Sequence, residues 1–131
     1  MRPSYRELDG KLKRAMEIIE AGNLIFCEDG DEKSQKVDAE LCWLEDQGHE
    51  IERIGTLIVN LIGEIRKGNV LESYRSANGG FPPITSVEPE AGGEPYWPFC
   101  WQSAIFGLSM YLKFVIVNDC YLYLSLHPSR K

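Results

Sequence analysis

The sequence predicts an α+β fold, with three helices packed on one face of a small, mostly antiparallel sheet that ends in a C-terminal β-hairpin. Two observations carry this expectation. The stretch Ser109 to His127, SMYLKFVIVNDCYLYLSLH, has two arms rich in Val, Ile, Tyr and Phe, interrupted by Asn118-Asp119, residues that tolerate turn conformations. Upstream, the stripe Ile51, Ile54, Leu57, Ile58, Leu61, Ile62 and Ile65 recurs at helical spacing and is the strongest such signal in the chain. A length of 131 residues with 44% hydrophobic content suits one domain, residues 1–131, with a core that needs no disulfides.

Along the chain, Ser4-Tyr5-Arg6-Glu7 fits a capping box. Leu8, Leu12, Ala15, Met16 and Ile19 then mark the inner face of a first helix that Gly22-Asn23 ends. Its outer face carries Lys11, Lys13 and Arg14, either solvated surface or a phosphate-contacting edge. Leu24 to Cys27 is a short strand or an extended linker, and Glu28 to Glu32 a loop. A second helix runs from Ser34 to Gln47, with Val37, Leu41 and Leu44 inward and Gly48 as its stop. The third, the main core helix, spans Glu50 to Arg66. Val70 to Arg75 alternates as a half-buried strand does. From Ser76 to Pro95 the density of Gly and Pro excludes regular structure and predicts a mobile loop. Tyr96 to Gln102 then packs Tyr96, Trp97, Phe99 and Trp101 into one short run, either as cover for the core or as platforms for RNA bases.

The hairpin register follows from its alternation. A three-residue connection, Asn118-Asp119-Cys120, pairs Val117 with Tyr121, Lys113 with Ser125 and Tyr111 with His127. It gathers Leu112, Phe114, Ile116, Leu122, Leu124 and Leu126 on the face toward the helices. The outer face then carries a phenol, an ammonium, a hydroxyl and an imidazole within cross-strand reach, since opposed β-carbons lie about 5 Å apart.

The run Tyr111-Leu112-Lys113, the β-branched arm, the turn ending in Asp119 and the closing Leu124-Ser125-Leu126-His127 resemble the C-terminal hairpin of the motility quorum-sensing regulator (MqsR) toxins. Those are small cytoplasmic ribonucleases of bacterial toxin–antitoxin systems with a RelE-like fold. The order of preceding elements is also similar, so the resemblance covers most of the chain from about residue 11. It implies an mRNA interferase that cleaves single-stranded mRNA and is held in check by a cognate antitoxin protein. Tyr111 falls on the family's functional tyrosine, and His127 falls where the family places a Lys or His. The family's Trp and Gln match in a split way: Trp97 has the distance but precedes Pro98, while Trp101-Gln102 has the residues at a shorter distance. The family's other functional lysine has no clear counterpart here.

Metal-independent RNA cleavage needs a base for the 2′-hydroxyl, a cation for the phosphate and an acid for the departing 5′-oxygen. His127 is the one residue near the hairpin whose ordinary pKa lies near neutrality. Lys113 supplies a cation and Tyr111 a proton or hydrogen bond, with Gln102 a further site candidate. Arg75, Trp97, Trp101 and Tyr123 are the candidate RNA contacts. No cofactor is expected. Cys27, Cys42, Cys100 and Cys120 are widely spread, read as buried thiols, and with two histidines form no metal-ligand pattern.

A polar N-terminus and the lack of an apolar run near the roughly 18 residues of a membrane span predict a cytoplasmic protein without a membrane partner. A net charge of −6 is unusual for an RNA-binding surface. It is concentrated, however: Glu28 to Glu52 holds ten acids against Lys33 and Lys36, which leaves the rest of the chain slightly basic. The alternative function is a non-enzymatic interaction module, an inhibitor or adaptor, that works through this acidic lobe or the aromatic run.

Overall fold

The computed structural model describes residues 3–26, 32–78, 84–85 and 94–129. Helix α1 spans Tyr5–Glu20, with Ser4 Oγ accepting from Glu7 N at 3.1 Å. Leu8, Leu12, Ala15, Ile18 and Ile19 are its buried stripe. It stops where Gly22 takes φ +87°: Gly22 N donates to Ile19 O and Asn23 N to Ile18 O, which satisfies two terminal carbonyls. Strand β1 follows at Leu24–Phe26.

Helix α2, Glu32–Asp46, ends in the same way, with φ +92° at Gly48, Gly48 N on Glu45 O and His49 N on Leu44 O. A 3-10 turn over Ile51–Arg53 leads into α3, Ile54–Lys67, whose Ile54, Leu57, Ile58, Leu61, Ile62 and Ile65 are all buried as expected. Arg66 on α3 grips Asp9 on α1 at 2.8 Å, fixing the two helices side by side.

The segment read as a strand at Val70 to Arg75 is instead helix α4, Val70–Asn78. Asn69 Oδ1 accepts from Glu72 N at 3.0 Å and supplies the N-cap, and Val70 and Tyr74, one helical turn apart, are the two residues it buries completely. The expected loop from Ser76 to Pro95 is thus helical at its start. Strand β2, Ile84–Thr85, lies within it and pairs with Tyr96 and Pro95; residues 79–83 and 86–93 of that loop, like residues 27–31, lie outside the described residues.

Strands β3 (Pro95–Ser103), β4 (Leu108–Val117) and β5 (Cys120–Pro128) complete a sheet of order β1-β5-β4-β3-β2, antiparallel except for β1, which runs parallel to β5. The fold is therefore α+β, with four α-helices among the described residues where three were expected. One core joins their inner faces to Trp97, Phe99, Trp101, Leu112, Phe114 and Tyr121 on the sheet. Phe99, Phe114 and Tyr121 stack in a row across the strands, with centroids 6.3 and 5.0 Å apart, and Tyr74 meets Phe99 edge-on at 5.7 Å. Burial of rings of this size is worth about 3–5 kcal/mol each, judged by truncation to Ala.

The hairpin register is half as expected. Tyr111 does lie opposite His127 and Lys113 opposite Ser125, but Val117 pairs with Cys120 across a two-residue turn in which Asn118 and Asp119 take φ +50° and +57°. These are the conformations of a type I′ turn, whose twist suits a hairpin. Between the two registers sits a bulge: Lys113 opposes Ser125 and Phe114 opposes Tyr123, so Leu124 is the extra residue. The bulge changes which side chains are inside. Tyr121 and Tyr123 face the helices, while Leu122 and Leu124 join Val115, Tyr96 and Val117 in a separate apolar cluster.

Candidate functional site

Strand alternation places Gln102 and Cys100 on β3, Tyr111 and Lys113 on β4 and His127 on β5 on the face of the sheet opposite α1, α3 and α4. Cys100, Tyr111 and His127 form one cross-strand row. The Tyr111 and His127 rings contact at 5.1 Å between centroids. One residue pair further toward the turn, Lys113 Nζ lies 4.8 Å from the centroid of the Tyr96 ring, a cation–π contact that holds the ammonium on this face. Gln102, exposed and opposite Ser109, lies outside that row, two residues along β3 from Cys100. All four expected catalytic residues are therefore brought to one face.

Their protonation chemistry follows from the surroundings. Burial, reinforced by Tyr96, Cys100 and Glu40 nearby, pushes the Tyr111 phenol up to about 12, so it keeps its proton at neutral pH and donates. His127 Nδ1 lies 2.7 Å from Pro128 O. A carbonyl only accepts, so Nδ1 carries hydrogen and Nε2 of the neutral ring is left as acceptor or base. His127 also borders a groove, shared with Lys36, Glu40 and Trp43 of α2, at the end of β5.

The expected RNA contacts fare differently. Trp97, Trp101 and Tyr123 are buried in the core and leave no ring face for a base. Trp101 Nε1 donates to Glu64, Tyr123 OH donates to Glu40, and Trp97 sits against Lys11 Nζ at 5.4 Å. Arg75 is exposed on α4, which packs on β3 from the helical side, and so is not a strand neighbour of the hairpin. On the basic face of α1, Arg14 forms an exposed ion pair with Asp119 of the hairpin turn at 2.9 Å. Of the described cysteines only Cys100 is buried; Cys42 is exposed and Cys120 half-buried.

Two carboxylates escaped the sequence reading. Glu40 Oε1 accepts from Tyr123 OH at 2.7 Å and from Leu126 N at 2.8 Å, beyond the point where β1 stops pairing with β5. Glu64 accepts from Trp101, Ser103 and the backbone of Ala104 and Ile105, at 2.7–3.1 Å. The legible signal was an acid on an apolar helical stripe, Glu40 between Val37 and Leu44 and Glu64 beside Leu61 and Ile65.

Among the described residues no group of His, Cys, Asp and Glu can hold a metal ion, and no helix is long and apolar enough to cross a membrane. In comparisons with known proteins, no family model, curated protein or solved structure matches this chain.

Proposed function

We propose that the protein is a metal-independent endoribonuclease of RelE-like type, an mRNA interferase that cleaves single-stranded mRNA in the cytoplasm and is neutralised by a cognate antitoxin, as the MqsR-like hairpin implies. The observation that supports this most is the contact of Tyr111 with His127 at 5.1 Å, with Lys113 on the same face. His127 Nε2 takes the proton of the 2′-hydroxyl, whose oxygen attacks phosphorus and expels the 5′-oxygen. Lys113 offsets charge on the phosphate, and the Tyr111 phenol gives its proton to the departing 5′-oxygen as the P–O bond breaks. Gln102, exposed on the same face, contacts the same strand of RNA in this reading.

A second reading, a non-enzymatic interaction module, is favoured by one observation: the aromatics expected to stack on RNA bases are buried, while Asp38, Glu45, Asp46, Glu50 and Glu52 stand exposed. Cleavage of a single-stranded RNA by wild type, His127→Ala and Lys113→Ala separates the two. A nuclease loses about 10²-fold in rate with either change and keeps its melting temperature. Wild-type protein that leaves RNA intact with and without ribosomes sinks the nuclease reading in favour of the module.

A further inference from the structure

Lys36 belongs by sequence to the acidic segment, yet the fold carries its ammonium to the face of Tyr111 and His127. Glu40, one turn further along α2, accepts from Leu126 N, so the helix runs beside β5 past the end of β1. From there Lys36 Nζ donates to Ser125 Oγ at 3.0 Å. Ser125 is fully buried and stands directly opposite Lys113, so the two share a face of the sheet. An exposed ammonium is thus anchored on a buried hydroxyl, and that bond uses one of its three N–H donors.

Two cross-strand rows lie side by side. One runs from Tyr111 to His127, and the next from Lys113 through Ser125 to Lys36. Both lead from β4 across β5 to α2, where Lys36 and His127 line one groove of about 390 Å³. Glu40, the one acid in its lining, has Oε1 engaged by Tyr123 OH and Leu126 N. The roles of the two rings set the direction of an RNA strand here. In the displacement the attacking 2′-oxygen and the departing 5′-oxygen stand on opposite sides of phosphorus. With His127 at the 2′-hydroxyl and Tyr111 at the leaving oxygen, the step from β4 to β5 runs toward the 5′ side of the cleaved bond. The next phosphate in that direction is the one on the 5′-oxygen of the attacked ribose.

We infer that Lys36 binds this upstream phosphate, so that the preferred substrate is an oligonucleotide carrying a phosphate 5′ to the nucleotide it is cut after. The inference rests on the RNA reading above, which supplies the direction of the strand.

The test is calorimetric titration of the full chain, at low ionic strength, with three DNA dinucleotides that lack the 2′-hydroxyl and cannot be cleaved: TpT, its 5′-phosphorylated form pTpT and its 3′-phosphorylated form TpTp. Wild type binds pTpT about tenfold more tightly than TpT, as a charge-assisted hydrogen bond to phosphate provides, and TpTp gains less. Lys36→Met keeps the apolar stem without the charge and binds pTpT and TpT alike. Equal affinity of wild type for pTpT and TpT, an equal gain for TpTp, no binding of any of the three, or a pTpT preference that survives Lys36→Met overturns the inference. The comparison of pTpT with TpTp in wild type decides without the variant. A pTpT preference in a protein that leaves RNA intact keeps the phosphate site and removes the enzyme, whereas RNA cleavage without that preference keeps the enzyme and removes the site.

Discussion

The hydroxyl of Ser103 donates to Glu64 Oε1 at 2.7 Å, and through this bond the C-terminal part of α3 holds the turn between β3 and β4. Burial raises the Glu64 pKa, but the bonds from Ser103, Trp101, Ile105 N and Ala104 N outweigh it, and the carboxyl sits below its ordinary value of 4.5. A depressed carboxyl stabilises the fold above its unfolded pKa, and that contribution is lost as pH falls through the folded value. Glu64→Gln should therefore cost about 2 kcal/mol at pH 7, and urea titrations repeated at lower pH should show the gap between variant and wild type closing below 4.5. A gap that stays constant down to the acid limit would show that the charge contributes nothing.

The turn supplies a second test. Asn118 and Asp119 both hold left-handed backbone, which a β-branched residue enters only with strain. Asn118→Val should lower stability by more than about 1 kcal/mol, whereas Asp119→Gly should be neutral or stabilising by up to about 1 kcal/mol. The Arg14 ion pair lost in the latter is exposed and worth little. If Asp119→Gly destabilises more than Asn118→Val, the type I′ turn is wrong.

Two glycines of α3 should respond unequally to a side chain. A Cβ at Gly63 meets nothing within 4 Å, so Gly63→Ala gains helix propensity and about 0.5–1 kcal/mol. A Cβ at Gly55 would stand 3.1 Å from Ile19 Cγ2, where α1 and α3 approach closely, so Gly55→Ala should gain less, and Gly55→Leu should cost about 2 kcal/mol. Thermal melts of the three variants rank them.

Alkaline titration should be cooperative. Burial raises the phenols of Tyr96, Tyr111, Tyr121 and Tyr123, and the Glu40 charge and hydrogen bond push Tyr123 further. A raised phenol stabilises the fold below the unfolded pKa of about 10 and ceases to do so as pH rises through the folded values. Ultraviolet phenolate absorbance should lag at pH 10 and rise with loss of circular dichroism above it. Gradual ionisation with the far-ultraviolet signal intact would contradict the burial of these rings.

How much of this was legible follows from periodicity and its limits. Helices α1 and α3 could be read because each shows an apolar stripe over three or more turns. Six residues from Val70 to Arg75 satisfy a period of two as well as 3.6, and the capping role of Asn69 decides for the helix. In the hairpin, alternation near His127 and turn chemistry at Asn118-Asp119 demand registers one residue apart. A single connection length cannot serve both, and the chain reconciles them with a bulge at Leu124 that no composition rule marks. The cluster of Tyr111, Lys113, Gln102 and His127 was readable because it lies on the side of the bulge where the expected register holds. Tyr123 lies on the other side, and its side chain turns inward.

Strand β5, the last of the five to leave the ribosome, is an interior strand, flanked by β1 and β4, and its partner Leu24 must find Tyr121 across nearly the whole chain. No stretch that ends before Cys120 can complete the sheet, so the apolar stripes of α1 and α3 are synthesised well ahead of the surface that covers them. Contacts so distant in sequence raise the contact order, and topologies of that kind fold more slowly than bundles held by local contacts.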